Sequence, residues 1–174
     1  MLENSFYHLP HLPTLDSKYV TEAINAEYIL PEPEVNGIHT SRATWAHSSF
    51  AETKFFQDLS TTINKPFTAL YYRFPAMSTY NWHTDRDRNC SINFLLTDNP
   101  NYLTVFREPT NNRIIYNIRV CDYTPLQPVL FNTQVTHSVT NYRNQERYIL
   151  TVASETASLD EVKEFLFAYQ TNSY

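Results

Sequence analysis

Apolar side chains recur over residues 15–30 at Tyr19, Ala23, Ala26 and Ile29, close to the 3.6-residue repeat of an amphipathic helix. Thr14 or Asp16 stands where an N-cap belongs, and Pro31 ends the run. A second helical stripe over residues 49–63 sets Phe50, Phe55, Phe56, Leu59 and Ile63 on one side. After Pro66 the repeat changes. Short segments rich in Tyr, Phe, Ile, Val and Thr, separated by turn signals, predict eight strands: residues 67–74, 78–85, 91–97, 102–106, 113–120, 128–131, 135–139 and 147–153. A last amphipathic helix is expected over residues 159–169. Ser158 is its N-cap, and Asp160 and Glu161 lie in its first turn, where acidic groups complement the helix dipole. This order predicts a mainly β fold with flanking helices, a double-stranded β-helix (jelly roll) backed by the N-terminal helices. No repeat or linker divides the chain, so residues 1–174 read as a single domain. Its parts are a mainly helical N-terminal support (1–65), the β core (66–154) and a C-terminal helix (155–174).

Composition narrows the function classes. A chain of 174 residues with 42% hydrophobic and 15% aromatic residues has the apolar content for a sizeable core. The net charge of −5 argues against non-specific nucleic-acid binding, which needs a basic surface to neutralise phosphates. The single glycine, Gly37, excludes a glycine-rich phosphate loop. Turns fall instead to Asn, Asp and Pro, as at residues 98–100 and 109–112. No apolar run approaches the length of a membrane span. The first ten residues lack a basic start followed by an apolar core, which points to a cytoplasmic location. Cys90 and Cys121, far apart and outside any Cys-x-x-Cys motif, read as free thiols. The 13 tyrosines either cover a dimer surface or pack on the helices.

The chemistry concentrates at Trp82-His83-Thr84-Asp85, His137 and Arg147. Side chains two apart on a strand face the same way, so His83 and Asp85 are expected on one face, with His137 closing the set from a later strand. Two imidazoles and one carboxylate form the facial triad of a non-haem Fe(II) site with open positions. A lone His-x-Asp or a lone late histidine is usually incidental. The weight lies in their conjunction on the second and seventh predicted strands, with an arginine opening the eighth. Arg147 leads into the apolar run Tyr148-Ile149-Leu150-Thr151-Val152, so an inward guanidinium there needs a partner. That partner is either a carboxylate of a bound molecule, which the guanidinium fork matches, or a neighbouring Asp or Glu. Asn93 either donates to a bound carboxylate or faces water. Tyr72 is either a phenol donor or a core tyrosine with a satisfied hydroxyl. Thr151 is a similar candidate.

The order His83-Thr84-Asp85, then His137, then Arg147 resembles the Fe(II)/2-oxoglutarate-dependent dioxygenase superfamily over about residues 67–153. Asn89-Cys90-Ser91-Ile92-Asn93-Phe94-Leu95, coming after His83-Thr84, is similar to the aspartyl/asparaginyl β-hydroxylase and proline hydroxylase branch. The resemblance implies that His83, Asp85 and His137 bind Fe(II) and that 2-oxoglutarate is the co-substrate. Arg147 would grip its distal carboxylate, while Asn93 and Tyr72 stay candidate co-substrate contacts on their own residues' chemistry. It implies use of O2 and hydroxylation of an amino-acid or peptidyl side chain with release of succinate and CO2. Where that branch often carries an arginine near the co-substrate, this chain has Asn93. Halogenating relatives replace the carboxylate ligand with a small residue, so Asp85 favours hydroxylation.

The expected partner is a small-molecule or peptide substrate, without nucleic acid or membrane. Candidate pocket residues are Tyr80, Trp82, Arg86, Arg88, Tyr102 and Phe106. His39, Arg42, Trp45 and His47 lie in a segment that either covers the barrel mouth or packs through Trp45. Two alternatives stay open: a nucleic-acid oxidative demethylase on the same core, and a non-catalytic, cupin-like metal- or ligand-binding barrel.

Overall fold

A computed structural model of the chain describes residues 5–29, 43–97, 102–110 and 116–169. The short strand β1 (Phe6–His8) precedes helix α1 (Lys18–Asn25) and strand β2 (Thr44–His47). A 3-10 turn, Ser49–Glu52, leads into helix α2 (Lys54–Ile63). Then come β3 (Thr68–Phe74), β4 (Ser78–His83), β5 (Cys90–Leu95), β6 (Tyr102–Pro109) and β7 (Tyr116–Cys121). Strands β8 (Pro128–Asn132), β9 (His137–Asn141) and β10 (Arg147–Ser154) come next, and helix α3 (Leu159–Tyr169) closes the order.

The strands form two antiparallel sheets. One has six strands in the order β1-β8-β5-β10-β3-β2, and the other has four in the order β4-β9-β6-β7. The six-stranded sheet is buried on both faces. Ile92, Phe94, Leu130, Leu150 and Tyr71 point to the helices and meet Leu59, Phe56, Val162 and Leu166. The alternate residues point inward to the second sheet: Val129 and Phe131 meet Phe106, while Leu95 and Ile149 meet Phe74 and Tyr123. This double burial explains why every residue of β5 is buried, the polar Ser91 and Asn93 included.

The eight expected strands are all present, with ends shifted by a few residues. Residues 113–115, the turn at 98–100 and part of the turn at 109–112 lie outside the described residues. The N-terminal part holds, besides the expected helices, two short strands. Its strands β1 and β2 add to the two edges of the six-stranded sheet, pairing with β8 and β3. Segments of three and four residues are too short to display a period, and their pairing is decided by the sheet edge they meet. The first helix is also shorter than residues 15–30. Ala26 is extended, and Ile29 exchanges backbone hydrogen bonds with Trp45 at 2.7 and 3.2 Å. The second helical stripe breaks at Thr53, whose extended backbone and hydroxyl cap α2 by accepting the Phe56 N–H at 3.2 Å. Helix α3 has the expected bounds. Ser158 and Glu161 form a reciprocal capping box, each side chain accepting the other's backbone N–H at 3.2 and 2.8 Å. Asn64 ends α2 in the left-handed conformation that glycine usually supplies. Cys90 and Cys121 are buried free thiols, as expected.

Candidate metal centre and co-substrate pocket

His83 is the last residue of β4, and His137 is the first of β9; they are cross-strand partners. The pairing contains a bulge: Tyr80 pairs with Val139 and His83 with His137, so β4 spends one extra residue over this interval. A bulge reverses the facing of the residues beyond it. It brings His83 to the inner side with Tyr80, whose ring meets the His83 ring edge-on at 4.1 Å. Asp85 is not on the strand. It lies in the turn after β4, held by its backbone N–H donating to the Thr133 carbonyl at 3.1 Å. The expected convergence is therefore present, but a bulge and a turn produce it in place of simple strand alternation.

One ligand atom from each of His83, Asp85 and His137 lies within 4.8 Å of the others. The Nδ1 of His83 is 2.6 Å from the Asn81 carbonyl, and that of His137 is 3.0 Å from the Val135 carbonyl. A carbonyl only accepts, so each Nδ1 carries the proton and each Nε2 keeps its lone pair. The Nε2 of His83 faces Asp85 Oδ1 at 3.6 Å. Burial lowers the basicity of both rings, and the neighbouring His83 helps bring His137 down to about 4. At neutral pH two imidazole lone pairs therefore face a common point beside an oxygen of Asp85. Such a donor set fits a divalent cation that accepts nitrogen and oxygen ligands.

The other Asp85 oxygen, Oδ2, accepts from Arg88 Nε at 2.7 Å. Arg88 Nη1 also donates to the Tyr72 hydroxyl at 3.0 Å. The His137 ring rests near Phe106, with centroids 5.5 Å apart, and Phe106 packs against Phe131 at 5.0 Å.

Arg147 is 0% exposed. Its Nη2 donates to Thr104 Oγ1 at 3.1 Å, and its guanidinium lies 5.1 Å from the Tyr123 ring and 5.8 Å from the Phe74 ring. Thr104 and Phe106 are both fully buried and sit two positions apart on β6, so they share the inner face. Phe106 touches His137 and Thr104 touches Arg147, so neighbouring positions of one strand face reach the His83, Asp85 and His137 cluster and the arginine.

Tyr72 and Asn93 also face inward, in register with Phe74 and Leu95. Asn93 does not face water. Its Oδ1 accepts from Thr151 Oγ1 at 2.7 Å across the β5–β10 pair, and its Nδ2 donates to Ser91 Oγ at 2.9 Å. Trp45 and His47 lie on β2, beside Tyr72 and Leu70. His39 and Arg42 lie outside the described residues. Arg86 is exposed. Trp82 turns outward, with Arg107 4.5 Å from its ring. Thr104 and Tyr123 do not stand out by pattern. A threonine inside an apolar strand and a tyrosine between Asp122 and Thr124 carry no signal until the sheets are closed.

No protein-family model matches the chain, and no curated protein matches it in sequence. Solved structures do match in fold. An oxidoreductase of the 2OG-Fe(II) oxygenase family from Burkholderia pseudomallei is 11% identical with a TM-score of 0.58, covering 88% of this chain and 87% of that one. A Trichoplax adhaerens prolyl hydroxylase, in complex with a hypoxia inducible factor oxygen degradation domain peptide fragment, is 16% identical with a TM-score of 0.56, covering 92% and 87%. The epimerase SnoN, in complex with Fe3+, alpha ketoglutarate and nogalamycin RO, is 10% identical with a TM-score of 0.56, covering 87% and 79%. Among the described residues no helix is long and apolar enough to cross a membrane. With two antiparallel sheets enclosing the His83, Asp85 and His137 cluster, the chain has a fold that it shares with solved 2OG-Fe(II) oxygenases.

Proposed function

We propose that the chain is an Fe(II)- and 2-oxoglutarate-dependent dioxygenase built on a double-stranded β-helix, acting as a hydroxylase of an amino-acid or peptidyl side chain. The observation that carries this reading is the convergence of His83 Nε2, His137 and Asp85 Oδ1 on the inner face that also holds Arg147. The fold likeness supports it, since one neighbour holds Fe3+ and alpha ketoglutarate and another a peptide.

In this reading His83, Asp85 and His137 would hold the iron. Iron, 2-oxoglutarate and O2 together supply the oxidising power for an unactivated C–H bond, with succinate and CO2 as co-products. The chain's own work is placement. Asn81 and Val135 hold the two rings in the Nε2-donating tautomer through their carbonyls. Arg147 presents a fixed cation to the distal carboxylate of 2-oxoglutarate, and Thr104 orients the guanidinium. Tyr72 offers a phenol proton from the same inner face. Asn93, already bonded to Thr151 and Ser91, contributes its remaining amide proton. Phe106, Phe131 and Tyr123 pack together as an apolar part of the inner face.

The test begins anaerobically. Metal-free protein receives Fe(II) and then 2-oxoglutarate, and a weak visible charge-transfer band is expected. The same protein in air is then given free amino acids and short peptides, with succinate and substrate mass followed. A gain of one oxygen by an amino-acid or peptide substrate, coupled to succinate, is the expected result. Metal binding without any band on adding 2-oxoglutarate would overturn the dioxygenase reading and leave a metal-binding barrel. A band with product of unchanged oxygen content would overturn hydroxylation while keeping the cofactors.

A further inference from the structure

Arg88 occupies a place that neither the triad nor the arginine of β10 explains. It lies in the turn after β4 with its side chain 20% exposed, and the Asp85 side chain beside it is 8% exposed. Its guanidinium meets two groups at once: Nε donates to Asp85 Oδ2 at 2.7 Å, and Nη1 donates to the Tyr72 hydroxyl at 3.0 Å. We propose that Arg88 is a positioning residue that joins the metal and co-substrate halves of the site, setting Asp85 and Tyr72 through one guanidinium. This rests on the dioxygenase reading above and deepens it.

The linkage is directional. A guanidinium has donors only and does not lose its charge. With Oδ2 committed to Arg88, Asp85 presents a single oxygen, Oδ1, toward the histidines, and only that oxygen would be free to bind a metal. The Tyr72 oxygen accepts from Arg88, so its own proton must point elsewhere, leaving Tyr72 as a donor. Tyr72 faces inward on β3, the strand that pairs with β10 and brings Phe74 opposite Arg147. The proton is thus available to a carboxylate or keto oxygen bound on that face.

The turn backbone does not depend on the guanidinium. Thr133 Oγ1 donates to the Arg88 carbonyl at 2.7 Å, and Gln134 Nε2 donates to the carbonyls of Arg88 and Asp85 at 2.8 and 3.1 Å. Removing the side-chain fork therefore leaves the turn pinned while freeing Asp85 to rotate and Tyr72 to reorient. Both ligand sites should loosen, and the two effects should be linked.

The experiment is a visible-absorption titration of the full-length protein with Co(II), with and without 2-oxoglutarate, which reads binding directly without turnover. Variants are Arg88→Gln, Arg88→Lys, Tyr72→Phe and the Arg88→Gln/Tyr72→Phe double variant, with circular dichroism as the folding control. Arg88→Gln is expected to weaken Co(II) binding roughly 10- to 100-fold, the usual effect of losing an orienting partner of a metal ligand. Arg88→Lys should recover part of that loss by keeping the charge. Tyr72→Phe should weaken 2-oxoglutarate severalfold in the native background but less than about twofold once Arg88 is Gln, because linked residues are non-additive. Co(II) affinity in folded Arg88→Gln within threefold of native, or independent effects in the double variant, would overturn the proposal. If Arg88→Gln does not fold, the same comparison on Arg88→Lys decides: unchanged Co(II) affinity and an undiminished Tyr72→Phe effect would overturn it. Failure of the native protein to bind Co(II) or 2-oxoglutarate would instead overturn the dioxygenase reading itself.

Discussion

Replacing Arg147 by glutamine tests the co-substrate pocket most directly. The guanidinium is 0% exposed, so a carboxylate meeting it would form its bonds away from water. Removing one partner of a buried, hydrogen-bonded charge pair costs about 2–5 kcal/mol, or roughly 30- to 5,000-fold in affinity. The lower half of that range is expected. Thr104 stays in place as a polar neighbour, and the metal end of 2-oxoglutarate is untouched by the change. Affinity for 2-oxoglutarate should therefore fall about 30- to 150-fold, or about 2–3 kcal/mol. The assay is anaerobic titration of the Fe(II)-loaded protein, monitored by the charge-transfer band. Pyruvate supplies the control, because it keeps the 2-oxo acid and lacks the distal carboxylate. Pyruvate binding should be weak and nearly equal in native and variant protein. A loss below threefold for 2-oxoglutarate would refute the anchor role. An equal loss for pyruvate would show that the substitution disturbs the metal end or the fold, not the distal carboxylate contact.

Burial and the neighbouring His83 depress His137 to about 4, whereas an unfolded histidine titrates near 6.5, so between these values the unfolded chain binds more protons. The resulting stability is fully present above about pH 6.5 and falls as the pH drops toward 4. Urea unfolding of metal-free protein should show about 2 kcal/mol lost at pH 5 through His137, and His137→Gln should lack that part. An identical pH dependence in native and variant protein would contradict it. Phe106 is fully buried against Phe131, Phe6 and His137, so Phe106→Ala should cost about 3–5 kcal/mol in urea unfolding and loosen metal binding as well. A cost below about 1 kcal/mol would mean that the inner face is not packed as described. Burial pushes the thiols of Cys90 and Cys121 up to about 12, so a thiol reagent at pH 8 should label neither in the folded protein and both in urea. Rapid labelling of the folded protein would place a thiol at the surface.

Features are legible in the chain when the residues that signal them lie close together. The strands of the core announce themselves because each is a local run of β-branched and aromatic residues between turn residues, and about ten residues suffice to show it. Helix α3 is legible for the same reason, its cap and first turn being contiguous. The candidate cluster is legible because His83 and Asp85 are near neighbours in sequence, but the reason for their convergence is not. Strand alternation would place them on one face, yet β4 ends at His83, a bulge after Tyr80 turns that residue inward, and Asp85 approaches from a turn tied to Thr133. A bulge leaves no mark in the hydrophobic pattern of a six-residue strand with only two large apolar side chains. Strands β1 and β2 stay hidden because pairing with β8 and β3, not their own composition, makes them strands. Arg88 is the sharpest case. Near the triad in sequence it reads as one more pocket or surface arginine, since the partner that gives it a second task, Tyr72, lies on a strand sixteen residues earlier. Local pattern singles out the candidate residues. Which oxygen of Asp85 is left for a metal depends on where Arg88 goes, and only the closed pair of sheets decides that.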